Sequence, residues 1–149
     1  LVKIPQGAFP GENRATLVRK INEAAAAVEQ MPDEPRARFM CWVLVDEVAA
    51  GGWTCGGADA TAQYLPCMAR VLLPAGVLDD ESRSLYAARM HAAFAEAMPA
   101  DDRRRLMTSV VLDEVPDGAW GVGGRIWTLP DFARNAGYAH LQHLARSPA

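Results

Sequence analysis

A chain of 149 residues is long enough for one compact domain, or for two small units sharing a core. Half of it is apolar, 22% is charged, and the net charge of −3 with a pI near 5.6 lacks the basic excess that a nucleic-acid or anionic-membrane surface requires. No apolar run approaches the roughly 18–20 residues of a membrane span, so neither nucleic acid nor membrane is expected as a partner.

Residues 1–4 (LVKI) read as a short strand, and Gly7, Pro10 and Gly11 punctuate the turn after it. The apolar stretch is too short and too interrupted for a secretory signal, and none is expected. Leu17, Ile21, Ala24, Ala25 and Val28 recur at helical spacing, which predicts an amphipathic helix closed by Met31-Pro32. A second strand is predicted over residues 39–45, followed by a Gly-rich turn around Trp53. Residues 58–66 (ADATAQYLP) read as a linker. A strand at 68–73 and a turn at 74–76 come next, then a helix whose apolar face is predicted on Leu85, Ala88, Ala92 and Ala95. Met98-Pro99 closes that helix, a strand lies over 106–112, and a second Gly-rich turn surrounds Trp120. The tail from residue 125 has no counterpart earlier in the chain; a short strand and helix packed on a neighbouring chain are expected there.

The two halves are copies. Shifted by 67 positions, residues 31–57 lie over residues 98–124, and thirteen of the 27 aligned positions are identical without a gap. Among them are Asp46/Asp113, Glu47/Glu114, Trp53/Trp120 and Gly57/Gly124. The chain is a tandem duplication, with a first repeat at 1–57, a linker at 58–66, a second repeat at 67–124 and an extension at 125–149. Strand–helix–strand in each copy is the right-handed βαβ crossover with parallel strands. Helices cover one face of such a sheet, and the other face needs a partner.

Cys41, Cys55 and Cys67 are an odd number with no C-x-x-C spacing, so reduced thiols in a cytoplasmic protein are expected rather than disulfides or zinc. His140 and His143 are spaced to share a helix face, but no third ligand accompanies them and no metal is expected. The glycines after Trp120 lack the spacing of a phosphate-binding loop.

Paired βαβ units that close on DEVAAGGWTCGG and DEVPDGAWGVGG resemble the tautomerase superfamily. More narrowly the chain is similar to the fused 4-oxalocrotonate tautomerase type, in which two short subunits have become one chain. LVKI is similar to the segment just after the initiating Met-Pro in many such proteins, and the second closing segment is similar to the malonate semialdehyde decarboxylase branch, which carries a tryptophan there. The resemblance implies an α+β fold with a four-stranded mixed sheet and two helices on one face, like macrophage migration inhibitory factor. It implies a homotrimer, a small carboxylic acid as substrate, and no cofactor. The catalyst it implies is an N-terminal proline, expected immediately before Leu1, whose amine shuttles a proton. An apolar pocket lowers that amine's pKa toward the working pH by penalising the charged form.

The family's aromatic pocket wall corresponds to Trp53 and Trp120. In a fused chain Trp120 faces the amine, although a plain core tryptophan on the Gly turn is the competing reading. Family positions that carry arginines for a dicarboxylate hold Ala8, Val77, Trp42 and Ser109 here. Arg36, Arg38, Arg103 and Arg105 recur in both copies and are candidate carboxylate clamps, or else a solvated loop balanced by nearby acids. Leu1 and Lys3 are placed beside the expected amine, where Lys3 or Arg70 would depress its pKa. Glu114, matching Glu47, either activates water in a hydrolytic branch or caps a turn. Three functions are thus expected: a tautomerase acting on a small α-keto or enol acid; a superfamily dehalogenase or decarboxylase of three-carbon acids; or a catalytically degenerate member with a binding or assembly role.

Overall fold

A computed structural model of the chain describes residues 1–146. The first unit holds β1 (Val2–Pro5), α1 (Glu12–Glu29), a single helical turn α2 (Pro35–Arg38) and β2 (Val45–Val48). The second holds β3 (Tyr64–Pro74), α3 (Asp80–Ala97) and β4 (Arg105–Val115). The four strands form one mixed sheet in the order β2-β1-β3-β4. Within each unit the strands are parallel, Val2 facing Val45 and Tyr64 facing Arg105; at the centre β1 and β3 are antiparallel, Val2 facing Ala69. The duplication read in the sequence is therefore a pseudo-twofold between β1 and β3. β3 starts at Tyr64, inside the predicted linker.

Both helices lie on one face. In α1 the predicted stripe is the buried one: Leu17, Ile21, Ala24, Ala25 and Val28 all face the sheet. In α3 the prediction picked the wrong side. Leu85 is 43% exposed, and the buried residues are Tyr86, Met90, Ala93, Phe94 and Ala97. Tyr86, Met90 and Phe94 recur at i, i+4 and i+8 and bury far more area than a row of alanines, so they set the helix's rotation. Asp79 caps α3, accepting from the Ser82 amide at 2.8 Å, while the Ser82 hydroxyl accepts from the Asp79 amide at 2.8 Å.

The predicted strand over 39–45 is also displaced. Helical-turn hydrogen bonds occupy the amides of Phe39, Met40 and Cys41, donating to Pro35, Ala37 and Arg38 at 2.9, 3.0 and 3.0 Å. Ladder pairing therefore begins only at Val45, and residues 39–44 form an irregular segment. Phe39 and Trp42 on it are about three-quarters exposed.

The Gly-Gly pair that closes each copy makes a two-residue hairpin. Gly123 and Gly124 have φ of 58° and 82° and join β5 (Gly121–Val122) to β6 (Arg125–Ile126). Gly56 and Gly57, at 61° and 84°, close the Cys55–Ala58 bridge in the first copy. Two consecutive positive φ values define the turn whose twist matches a hairpin, which only glycine adopts without strain.

The tail packs on its own chain rather than on a neighbour. α4 (Leu129–Ala136) sends Phe132, Ala133 and Ala136 into the core, with Tyr138 and Leu141 beyond it. Ala139 donates to the Gln30 carbonyl at 2.9 Å, which ties the tail to the end of α1. Gly137 ends α4 with φ 73°, and a Cβ there would stand 2.9 Å from two ring carbons of Pro32. Gly137→Ala is expected to lower stability by about 2–3 kcal/mol, read as the urea midpoint. Gly7→Ala, at φ 76° with open space, isolates the cost of the backbone alone and loses about 1 kcal/mol.

The sheet face away from the helices is uncovered. Leu72, Met107 and Val111 are exposed on it, beside the ion pairs Lys3–Asp46 and Arg70–Asp113. Among the described residues no helix is long and apolar enough to cross a membrane.

Candidate active site

A cavity of about 530 Å³ runs from the start of β1 inward between the helices and the tail. Leu1, Phe39, Trp42 and Leu44 stand at its exposed end, and Ile21, Ala25, Tyr86, Met90 and Phe132 line its buried end. Leu1 is paired with Arg70 in the antiparallel ladder, the Leu1 amino group donating to the Arg70 carbonyl and the Arg70 amide to the Leu1 carbonyl, each at 2.8 Å. Continued by one position, that register would lie opposite Val71, and alternation along a strand would give that position the same face as Val2, toward the helices. Val71 and Val2 both line the cavity.

Of the candidate site residues singled out in the sequence, the cavity gathers Leu1, Trp42, Arg70 and Trp120. Trp120 packs on Phe132 of α4 at 4.9 Å between ring centroids, so it is both wall and core. The others lie elsewhere. Trp53 is half-buried in the loop after β2. Glu114 receives Arg83 in bidentate fashion at 2.8 and 3.1 Å, which binds β4 to the start of α3. Glu47 makes the matching tie to Arg14 at 2.8 Å. Lys3 pairs with Asp46 at 3.4 Å. Arg36 is exposed on α2, and Arg38 donates to the Pro32 carbonyl and to Asn22, both at 3.2 Å, outside the cavity. Arg105 opens β4 seven strand residues before Leu112, the neighbour of Val71; that is roughly 23 Å away. Arg103 lies farther still along the chain. Arg70 is the one arginine lining the cavity among the described residues, held by Asp113.

One charged residue is buried here. Glu29, the last residue of α1, is 7% exposed and lines the cavity. Tyr86 of α3 donates to one carboxylate oxygen at 2.6 Å and Tyr138 of the tail to the other at 3.3 Å. Burial outweighs both hydrogen bonds and pushes the carboxyl up to about 7. The phenols are raised in turn, first by burial and then by the Glu29 charge. Burial likewise pushes the Cys41 thiol, also on the cavity wall, up to about 11, with the Glu29 charge adding to the rise. At that value it is not a thiolate nucleophile near neutrality.

Sequence reading passed over Glu29 although a signal existed. It falls four residues after Ala25 on the buried stripe of α1, where a carboxylate has no place in a plain core. Its counterpart in the second copy, Glu96, is exposed and pairs with Lys20 at 2.9 Å, so the repeat concealed the difference. Among the described residues no group of three His, Cys, Asp or Glu side chains could hold a metal, and His140 is bonded to the Val77 carbonyl at 2.8 Å.

The architecture matches solved structures over most of its length. The F6 fused 4-OT wild-type asymmetric trimer superposes with a TM-score of 0.65 at 22% identity, covering 84% of this chain and 92% of that one. The fold is that of the fused 4-OT proteins. N1, a member of the cis-3-chloroacrylic acid dehalogenase family, gives a TM-score of 0.66 at 15% identity over 97% of this chain and 96% of its own. Native RhCC from Rhodococcus jostii RHA1 gives 0.66 at 17% identity over 99% and 97%. No family model and no curated protein matches the chain. In this fused 4-OT fold the tail helix α4 and the Trp120 hairpin contribute Phe132, Ala136 and Trp120 to the cavity wall.

Proposed function

We propose that the chain is a cofactor-independent tautomerase acting on a small α-keto or enol acid, with a prolyl amine immediately before Leu1 as its proton carrier. The observation that supports this reading is the Leu1–Arg70 register, whose continuation by one residue would bring the amine against Val71 on the helix-facing wall of the cavity. Such surroundings hold an amine partly neutral near physiological pH, as a proton shuttle between carbon and solvent needs. Arg70 is the group to hold the substrate carboxylate at the cavity's outer end, in place of Arg36, Arg38, Arg103 and Arg105. Trp120 and Phe132 exclude water from the reacting carbons. The free thiols of Cys41, Cys55 and Cys67 fit a cytoplasmic enzyme.

A dehalogenase of three-carbon acids is the second reading, favoured by the fuller coverage of N1. It needs a carboxylate that activates water, and Glu114 would have to leave Arg83 to serve. Ketonisation of phenylenolpyruvate and halide release from 3-chloroacrylate, both by the chain bearing proline before Leu1, separate the two. Ketonisation as the faster reaction supports the tautomerase; halide release without ketonisation refutes it. Trp120→Ala is expected to lower kcat/KM for ketonisation roughly 10–100-fold, and undiminished turnover would remove Trp120 from the pocket's working wall.

The uncovered sheet face supports a homotrimer, in which three fused chains bury Leu72, Met107 and Val111. Light scattering is expected to give three times the 16.1 kDa chain mass; a monomer at micromolar concentration would contradict this assembly.

A further inference from the structure

We propose that Glu29, held by Tyr86 and Tyr138 at the inner wall of the cavity, is a second proton-transfer group that serves the substrate's oxygen while the prolyl amine serves its carbon. The inference rests on the tautomerase reading above and adds to it a catalytic residue. A carboxyl on the buried face of α1, facing an otherwise apolar space, is costly unless it is used or paired. The groups that face it are the two phenols and the Cys41 thiol, and none is a cation. The two tyrosines donate to its oxygens, and each oxygen keeps a lone pair for a further proton.

The step balances. In ketonisation the enol O–H bond breaks and its proton passes to the Glu29 carboxylate. The oxygen's electron pair forms C=O, and the C=C pair takes a proton from the prolinium to form C–H. Solvent then returns a proton to the amine and removes one from Glu29. In the reverse direction the Glu29 carboxyl donates to the carbonyl oxygen while the amine removes the carbon proton. Ketonisation therefore needs Glu29 ionised and the amine protonated, and its rate rises with pH through the Glu29 titration near 7.

The test is the pH profile of phenylenolpyruvate ketonisation by the proline-bearing chain and its Glu29→Gln and Tyr86→Phe variants. Glu29→Gln is expected to lower kcat about 100-fold and to abolish the rise near pH 7. Tyr86→Phe keeps the carboxyl, removes its shorter donor and moves the rise to higher pH. An unchanged rise in both variants overturns the inference. A readout independent of turnover uses the chain with alanine before Leu1: the Glu29 carboxyl ¹³C resonance, assigned by its loss in Glu29→Gln, is expected to titrate near 7 and to shift when phenylpyruvate is added. A resonance indifferent to phenylpyruvate overturns the role of Glu29 whatever the proline does. Equal ketonisation by the proline and alanine chains refutes the tautomerase reading instead.

Discussion

Raising the pH from about 4.5 to 8 is expected to cost the folded chain about 3 kcal/mol, and Glu29→Gln is expected to remove most of that loss. Glu29 has an ordinary value of 4.5 when unfolded and is pushed to about 7 in the folded chain by burial. A raised folded pKa means that the folded state binds its proton more tightly than the unfolded state does. The contribution is therefore fully present below about 4.5 and is lost as pH rises through about 7. At 1.36 kcal/mol per pKa unit the difference comes to about 3 kcal/mol, which for a chain of this size moves Tm by roughly 6–12 °C. Asp79, Asp102 and Asp131 act oppositely, since hydrogen bonds and Arg pairing lower them and their contributions are lost in acid. Stability should accordingly peak near pH 4–5. Thermal melts across that range, for the native chain and for Glu29→Gln, are the check. Parallel pH curves for the two proteins would show that Glu29 is not the group responsible.

Much of this architecture was legible in the residues, for identifiable reasons. The 67-residue echo located both βαβ units, because duplication preserves strand ends and turn glycines together. α1 was readable because Leu17 and Ile21 are large and fall on one face. α3 was misjudged because its alanines lie on several faces and carry little area, whereas Tyr86, Met90 and Phe94 decide the orientation. Residues 39–44 look like a strand by composition, yet α2 captures their first amides. The tail lacks a repeat partner, and nothing local states that Phe132 and Tyr138 complete the chain's own core. The site divided along the same line. Trp120, marked by the repeat, lines the cavity. Glu29 was missed because its partners come from α3 and the tail, 57 and 109 positions away, and only folding brings them together. Of the paired arginines, conspicuous in both copies, none lines the cavity, and Arg38 instead ties α2 to the Pro32 carbonyl and to Asn22.

Replacing a proline before Leu1 by alanine is expected to have the largest effect on activity. The change leaves β1, the Leu1–Arg70 pairing and the cavity walls in place, and it substitutes a primary amine of different basicity and far less fixed orientation. General acid–base catalysis by one positioned group contributes about 10²–10⁴-fold. The secondary amine carries that whole contribution at carbon, since burial keeps the Cys41 thiol on the cavity wall protonated and Glu29 serves the substrate's oxygen. Pro66, ahead of the second copy, cannot substitute, because its nitrogen is an amide within β3. Ketonisation of phenylenolpyruvate, measured as kcat/KM for the proline and alanine chains at one pH, tests the central claim most directly. A loss of 10²-fold or more with alanine is the predicted result; equal rates would contradict it.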